Sequence, residues 1–81
     1  MKIYTVLCYR WGHEDGHIYL LGNNVTCEQS EVAAKEHVED RDGKYDCIVY
    51  ECLLDSTEKH AVCTYRGLGL NDRVEGEVFS D

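Results

Sequence analysis

Residues 26–40, TCEQSEVAAKEHVED, decide the fold. Thr26 is a preferred helix N-cap, and Gln29 three positions on completes a capping box. The stretch holds no Gly or Pro, and RDGK at residues 41–44 supplies an exit turn, so a helix is expected from Cys27 to near Asp40. Val32, Ala33, Ala34 and Val38 form its expected apolar stripe, with His37 at the margin. A stripe this narrow, made of small side chains, lets a helix lie close against a sheet. Glu28 and Glu31 fall in the first turns, where the helix dipole favours negative charge.

The flanks read as strands. Upstream, KIYTVLCYRW at residues 2–11 is rich in β-branched and aromatic residues and apolar on both faces, which predicts an interior strand. GHEDG at residues 12–16 is a turn signal, and HIYLLG at residues 17–22 returns as a second strand, making an antiparallel hairpin. Downstream, YDCIVYECLL at residues 45–54 is the most hydrophobic run. DSTE at residues 55–58 turns the chain into HAVCTYR at residues 60–66, a second hairpin. From Gly67 the sequence GLGLNDRVEGEVFSD is Gly- and acid-rich, expected as a loosely ordered tail with at most one short strand at residues 74–79. The order β-β-α-β-β predicts a two-layer α+β domain over residues 1–66, one helix packed on an antiparallel sheet, followed by the acidic tail 67–81. The open sheet face is expected to carry tyrosines, drawn from Tyr4, Tyr9, Tyr19, Tyr50 and Tyr65.

Composition bounds the function. A chain of 81 residues buries only about 60% of the surface its unfolded form exposes, so its core leaves little room for a deep active-site cavity. Sixteen acidic residues against eight basic ones argue against nucleic acid as a direct ligand. No apolar run is long enough to span a membrane, and MKIYTV enters a strand directly without an apolar leader. A cytoplasmic protein is therefore expected. The five cysteines, Cys8, Cys27, Cys47, Cys52 and Cys63, are odd in number and lack any CxxC spacing, so they are expected reduced and mostly packed as small hydrophobes.

Few motifs carry chemistry. His13-Glu14-Asp15-Gly16-His17 has the letters of HExxH, but it lies in a turn between strands, where the two imidazoles do not share a helix face. Strand alternation sends His60 and Cys63 to opposite faces, and Cys47 and Cys52 likewise. GxSxG, P-loop, GxGxxG and calcium-loop patterns are absent. No catalytic residue, metal ligand or cofactor is assigned, and the chain is expected not to be an enzyme. A small metal-binding or thiol-dependent regulatory domain using His13, His17, His60 and Cys63 is the alternative, and a homodimer through a sheet edge or face is a third reading.

Charge distribution is the clearest functional signal. Residues 26–55 hold nine acidic residues against three basic ones, whereas residues 1–25 balance two against two. Glu28, Glu31, Glu36, Glu39, Asp40 and Asp42 gather on the helix and its exit, a surface that steers toward a basic protein partner, with Trp11 as an apolar anchor.

Met1, Lys2, Tyr4 and Leu7 at the start, Tyr19, Leu21 and Gly22 in the hairpin, Ser30, Ala33 and Ala34 in the helix, and Ile48, Glu51, Leu54 and Asp55 at the third strand form a pattern. It resembles a family of short phage and bacterial domains that open with MKxYxL and close a strand with ExxLD. The resemblance covers roughly residues 1–55 and departs at Cys52, where an aromatic residue is usual, and beyond Asp55. It implies the fold and brings no activity with it. In size and acidity the chain also looks like the small proteins with which phages block host or defence complexes, anti-CRISPR proteins among them, which implies an inhibitor of nucleic-acid-handling machinery.

Overall fold

The computed structural model describes residues 2–10, 18–53, 55–67 and 72–78. Trp11, the turn with His13 and His17, and Leu54 lie outside the described residues, as do Leu68, Leu70 and Phe79 of the tail. The elements are β1 (Lys2–Arg10), β2 (Ile18–Asn24), α1 (Cys27–Asp40), β3 (Tyr45–Leu53), β4 (Lys59–Arg66) and β5 (Asp72–Glu75). One helix packs on a five-stranded antiparallel sheet of order β2-β1-β3-β4-β5. Both sequence-local hairpins form, and the sheet is closed in the middle by the non-local β1–β3 pair. β5 starts two residues ahead of the stretch where the sequence left room for a strand, and it pairs with β4.

The helix begins and ends as its sequence dictates. Thr26 is the N-cap, and its hydroxyl accepts the Gln29 N–H at 3.2 Å, a bond worth about 1 kcal/mol. At the exit Asp42 and Gly43 take positive φ, +56° and +74°, and the Gly43 N–H returns to the Val38 carbonyl at 3.0 Å. The buried stripe differs from the expected one. It consists of Ser30, Ala34 and Val38, flanked by Cys27, Glu31 and His37, whereas Val32 is 56% exposed. Positions 30, 34 and 38 recur at i, i+4, i+8, and Val32 stands about 200° around the axis from Ala34. A polar residue wins the inner position because Ser30 is satisfied there. Its hydroxyl donates to the Tyr4 carbonyl at 3.1 Å and accepts from Asn24 Nδ2 at 3.0 Å.

The layer between helix and sheet is built on one transverse row. Register aligns Tyr19, Cys8, Cys47, Tyr65 and Arg73 across all five strands. Val6, Cys8, Cys47, Val49 and Cys63 are fully buried beneath Ala34 and Val38, with Tyr45 and Tyr65 closing the sides. Tyrosines therefore divide between the faces: Tyr19, Tyr45 and Tyr65 pack on the helix side, Tyr9 and Tyr50 on the other.

Both ends of the row hold the helix. At the β5 end Glu31 Oε1 accepts from Arg73 Nε at 2.7 Å and from the Tyr65 hydroxyl at 2.8 Å. The Arg73 contact, helped by Tyr65, outweighs the opposing effect of burial and holds the Glu31 carboxyl down at about 2, against an ordinary 4.5. A depressed carboxylate stabilises the fold above its ordinary pKa and loses that stability as pH falls through its folded value. Stability is expected to drop between about pH 4.5 and 2, by about 1–2 kcal/mol given solvent screening of the partly exposed pair. Urea titrations across that range should show the slope, and Glu31→Gln should flatten it; an unchanged slope in the variant would assign the acid sensitivity elsewhere.

Candidate functional site

The helix presents two chemically different faces. On the outer one Glu28, Glu36 and Glu39 are exposed, and Asp40 and Asp42 continue the acidity into the exit turn. Val32 lies among them, with Lys35 on the same side and Arg41 at the exit, both exposed. Asp40 and Asp42 line a shallow depression together with Arg10, Arg41, Lys44 and Tyr45, so charge of both signs meets there. Glu31 does not join the outer face, because its carboxylate is turned onto Tyr65 and Arg73. Trp11 lies outside the described residues.

Beneath the inner face the row and the helix bring four donor atoms together. Cys8 and Cys47 are direct cross-strand partners, both fully buried, with their sulfurs 3.2 Å apart in a thiol–thiol hydrogen bond. His37 comes down from α1, and one of its ring nitrogens and the two sulfurs all lie within 4.8 Å of one another. Tyr19, beside Cys8 on β2, has its hydroxyl on His37 Nε2. The rings of Tyr19, His37 and Tyr45 meet edge to face at centroid distances of 5.6–5.8 Å and wall the cluster. His37 and Tyr19 are only half-buried, so the cluster opens to solvent between α1 and β2.

The environment sorts these groups. The hydrogen bond from Cys47 lowers the Cys8 thiol, against burial and with help from the Arg41 charge and the Tyr19 hydroxyl. The same bond, together with burial, pushes Cys47 up. Burial and then Arg41 lower His37, which keeps its imidazole neutral at neutral pH. Burial raises Tyr19. Cys63, pushed up to about 12 by burial, is an inert core thiol.

Of the four ligands in the alternative reading from sequence, only His60 and Cys63 are among the described residues. His13 and His17 lie outside the described residues, and His60 is exposed. A bulge at Val62 puts His60 and Cys63 on the same face, contrary to simple alternation, since they pair with Glu51 and Val49 respectively. They still sit three positions apart along β4, about 10 Å of strand. Among the described residues, Cys8, His37 and Cys47 are the one group whose ligand atoms converge. None of the described helices is long and apolar enough to cross a membrane. Neither a protein-family model nor a curated protein nor a solved structure matches the chain.

Proposed function

We propose that the chain is a non-catalytic protein-binding module. The outer face of α1 docks on a basic surface of a partner and occludes a site that otherwise takes nucleic acid, in the manner of the phage-encoded inhibitors that the chain looks like in size and acidity. The observation that carries this reading is the composition of that face: exposed Glu28, Glu36, Glu39 and Asp40 surround an apolar side chain, Val32, that the fold leaves 56% exposed. Such a combination suits recognition. The carboxylates speed and orient the encounter, and the apolar residue supplies contact that survives desolvation. Asp42 extends the negative surface, while Lys35 and Arg41 limit it.

The test is capture from bacterial lysate on immobilised protein, with duplex DNA as competitor and the double variant Glu36→Lys/Glu39→Lys as control. Both side chains are exposed, so the variant should fold within about 0.5 kcal/mol of the parent. The expected result is a basic nucleic-acid-binding protein that DNA displaces and that the variant binds about tenfold or more weakly, mainly through slower association. Equal capture by parent and variant, or capture that DNA leaves untouched, overturns the reading.

A further inference from the structure

We propose that Cys8, Cys47 and His37 form a binding site for a single zinc ion, with the Tyr19 hydroxyl at the fourth corner. The inference is independent of the acidic face and rests on four features of the cluster. First, the ligands come from three elements, β1, β3 and α1, whose mutual placement the whole fold fixes. Second, the three ligand atoms already lie within 4.8 Å of one another. Two sulfurs on a tetrahedral zinc ion, with Zn–S near 2.3 Å, stand about 3.8 Å apart. The 3.2 Å separation of Cys8 and Cys47 therefore has to widen by about half an ångström, a side-chain adjustment on a fixed backbone.

Third, the donor set is chemically selective. Two thiolates and an imidazole favour zinc over hard cations such as magnesium or calcium, which require oxygen ligands. Fourth, charge balances. On binding, each thiol loses its proton to solvent, so two protons leave as one divalent ion enters, and the buried site stays neutral overall. That matters where both cysteines are fully buried, because an uncompensated charge there is costly. The Tyr19 hydroxyl, which already stands against His37 Nε2, turns its oxygen to the metal as the neutral fourth ligand. The half-buried edge at His37 and Tyr19 gives the ion its way in.

The experiment is a titration of the reduced full chain, purified without a polyhistidine tag, with Co²⁺ and then Zn²⁺. One equivalent of Co²⁺ should produce the thiolate-to-cobalt charge-transfer band and tetrahedral d–d absorption, and Zn²⁺ should bleach both. Cys8→Ser and Cys47→Ser should each lose the charge-transfer band, and Cys52→Ser should keep it. Burial makes the first two variants prone to misfold, so His37→Gln is the decisive one. Its half-exposed position lets the fold persist by circular dichroism, and Zn²⁺ affinity should fall by about a hundredfold or more, since loss of outer-sphere support alone costs 10–100-fold. In parallel, Zn²⁺ should shield two thiols from alkylation, mapped by mass spectrometry to Cys8 and Cys47. No charge-transfer band, or unchanged affinity in His37→Gln, overturns the proposal. So does binding that follows a triple His13→Gln/His17→Gln/His60→Gln variant instead, or a Cys8–Cys47 disulfide that forms under reductant and excludes the ion.

Discussion

Gly67→Ala is expected to cost about 3 kcal/mol or more, a large share of the roughly 4–12 kcal/mol available to a chain of this length. Gly67 is buried, where the chain leaves β4 beside the exit of α1. A Cβ there meets the Gly43 carbonyl oxygen at 2.1 Å, its carbon at 2.6 Å and the Tyr45 carbonyl oxygen at 2.7 Å. All three atoms are backbone, so no side-chain rotation relieves the contact. Gly43 cannot step aside easily, because it holds φ +74° and its own Cβ position faces the Gly67 carbonyl at 2.8 Å. The Gly67 N–H is also bound to the buried carboxylate of Asp46 at 2.9 Å, and separation of the two glycines strains that bond. Gly22→Ala is the control: an added Cβ there meets nothing within 4 Å, and the change should stay within about 0.5 kcal/mol. Urea denaturation of the three proteins measures both effects. A loss below about 1 kcal/mol at Gly67 would mean that the two backbones part without cost to the sheet.

The glycine contact also marks where sequence reading stops. DG at residues 42–43 is legible as a helix exit, because positive φ has a local signature in residue type. That the same exit presses against Gly67 is a tertiary fact with no local signature. The helix, its cap and both hairpins were legible for the same reason: capping, periodicity and turn chemistry act over a few residues. Within the helix, the apolar reading of Val32 failed because residue type was weighed above position. Ser30 is small enough to bury and finds two hydrogen bonds there, whereas Val32 points the wrong way.

The thiol–imidazole cluster was hidden by distance along the chain. Cys8 and Cys47 are 39 residues apart and meet only because β1 pairs with β3 in one particular register. His37 reaches them only because the helix crosses that row. A search for ligand pairs close in sequence finds His60 with Cys63 and passes over this set. One signal was available. Two interior strands each carried a cysteine inside or beside an apolar run, and interior antiparallel strands are the ones that place such residues opposite each other. The acidic face needed no such information, since charge on an exposed helix is read directly from composition. Glu31 is the exception, drawn inward by Tyr65 and Arg73, two residues far along the chain.

Tyr50→Ala is expected to cost about 3–5 kcal/mol, the range for removing a large buried aromatic side chain, and to release the segment after β5 as well. Tyr50 is 4% exposed on the sheet face away from the helix. Its hydroxyl donates to the Glu77 carboxylate at 2.6 Å, and Lys59 Nζ sits 4.6 Å from its ring centroid. Next to it the Thr64 hydroxyl donates to the Gly76 carbonyl at 2.7 Å and accepts the Val78 N–H at 3.0 Å. The Gly76 N–H also donates to the Val62 carbonyl at 3.1 Å, so residues 76–78 are held to the sheet at four points, although their sequence, Gly-Glu-Val, has little hydrophobic reason to order. Tyr50→Phe separates the two roles: it keeps the ring and deletes the bond to Glu77, and should cost about 1 kcal/mol. Limited proteolysis read by mass spectrometry should show cleavage after β5 accelerated in both variants, whereas urea denaturation should rank Ala far below Phe. If Phe and Ala lose equal stability, the hydroxyl–carboxylate bond and not ring burial is what Tyr50 contributes. If neither exposes residues 76–78, the Thr64 hydroxyl and the Gly76 N–H bond to the Val62 carbonyl suffice to hold them, and Thr64→Val is the change that weakens that hold.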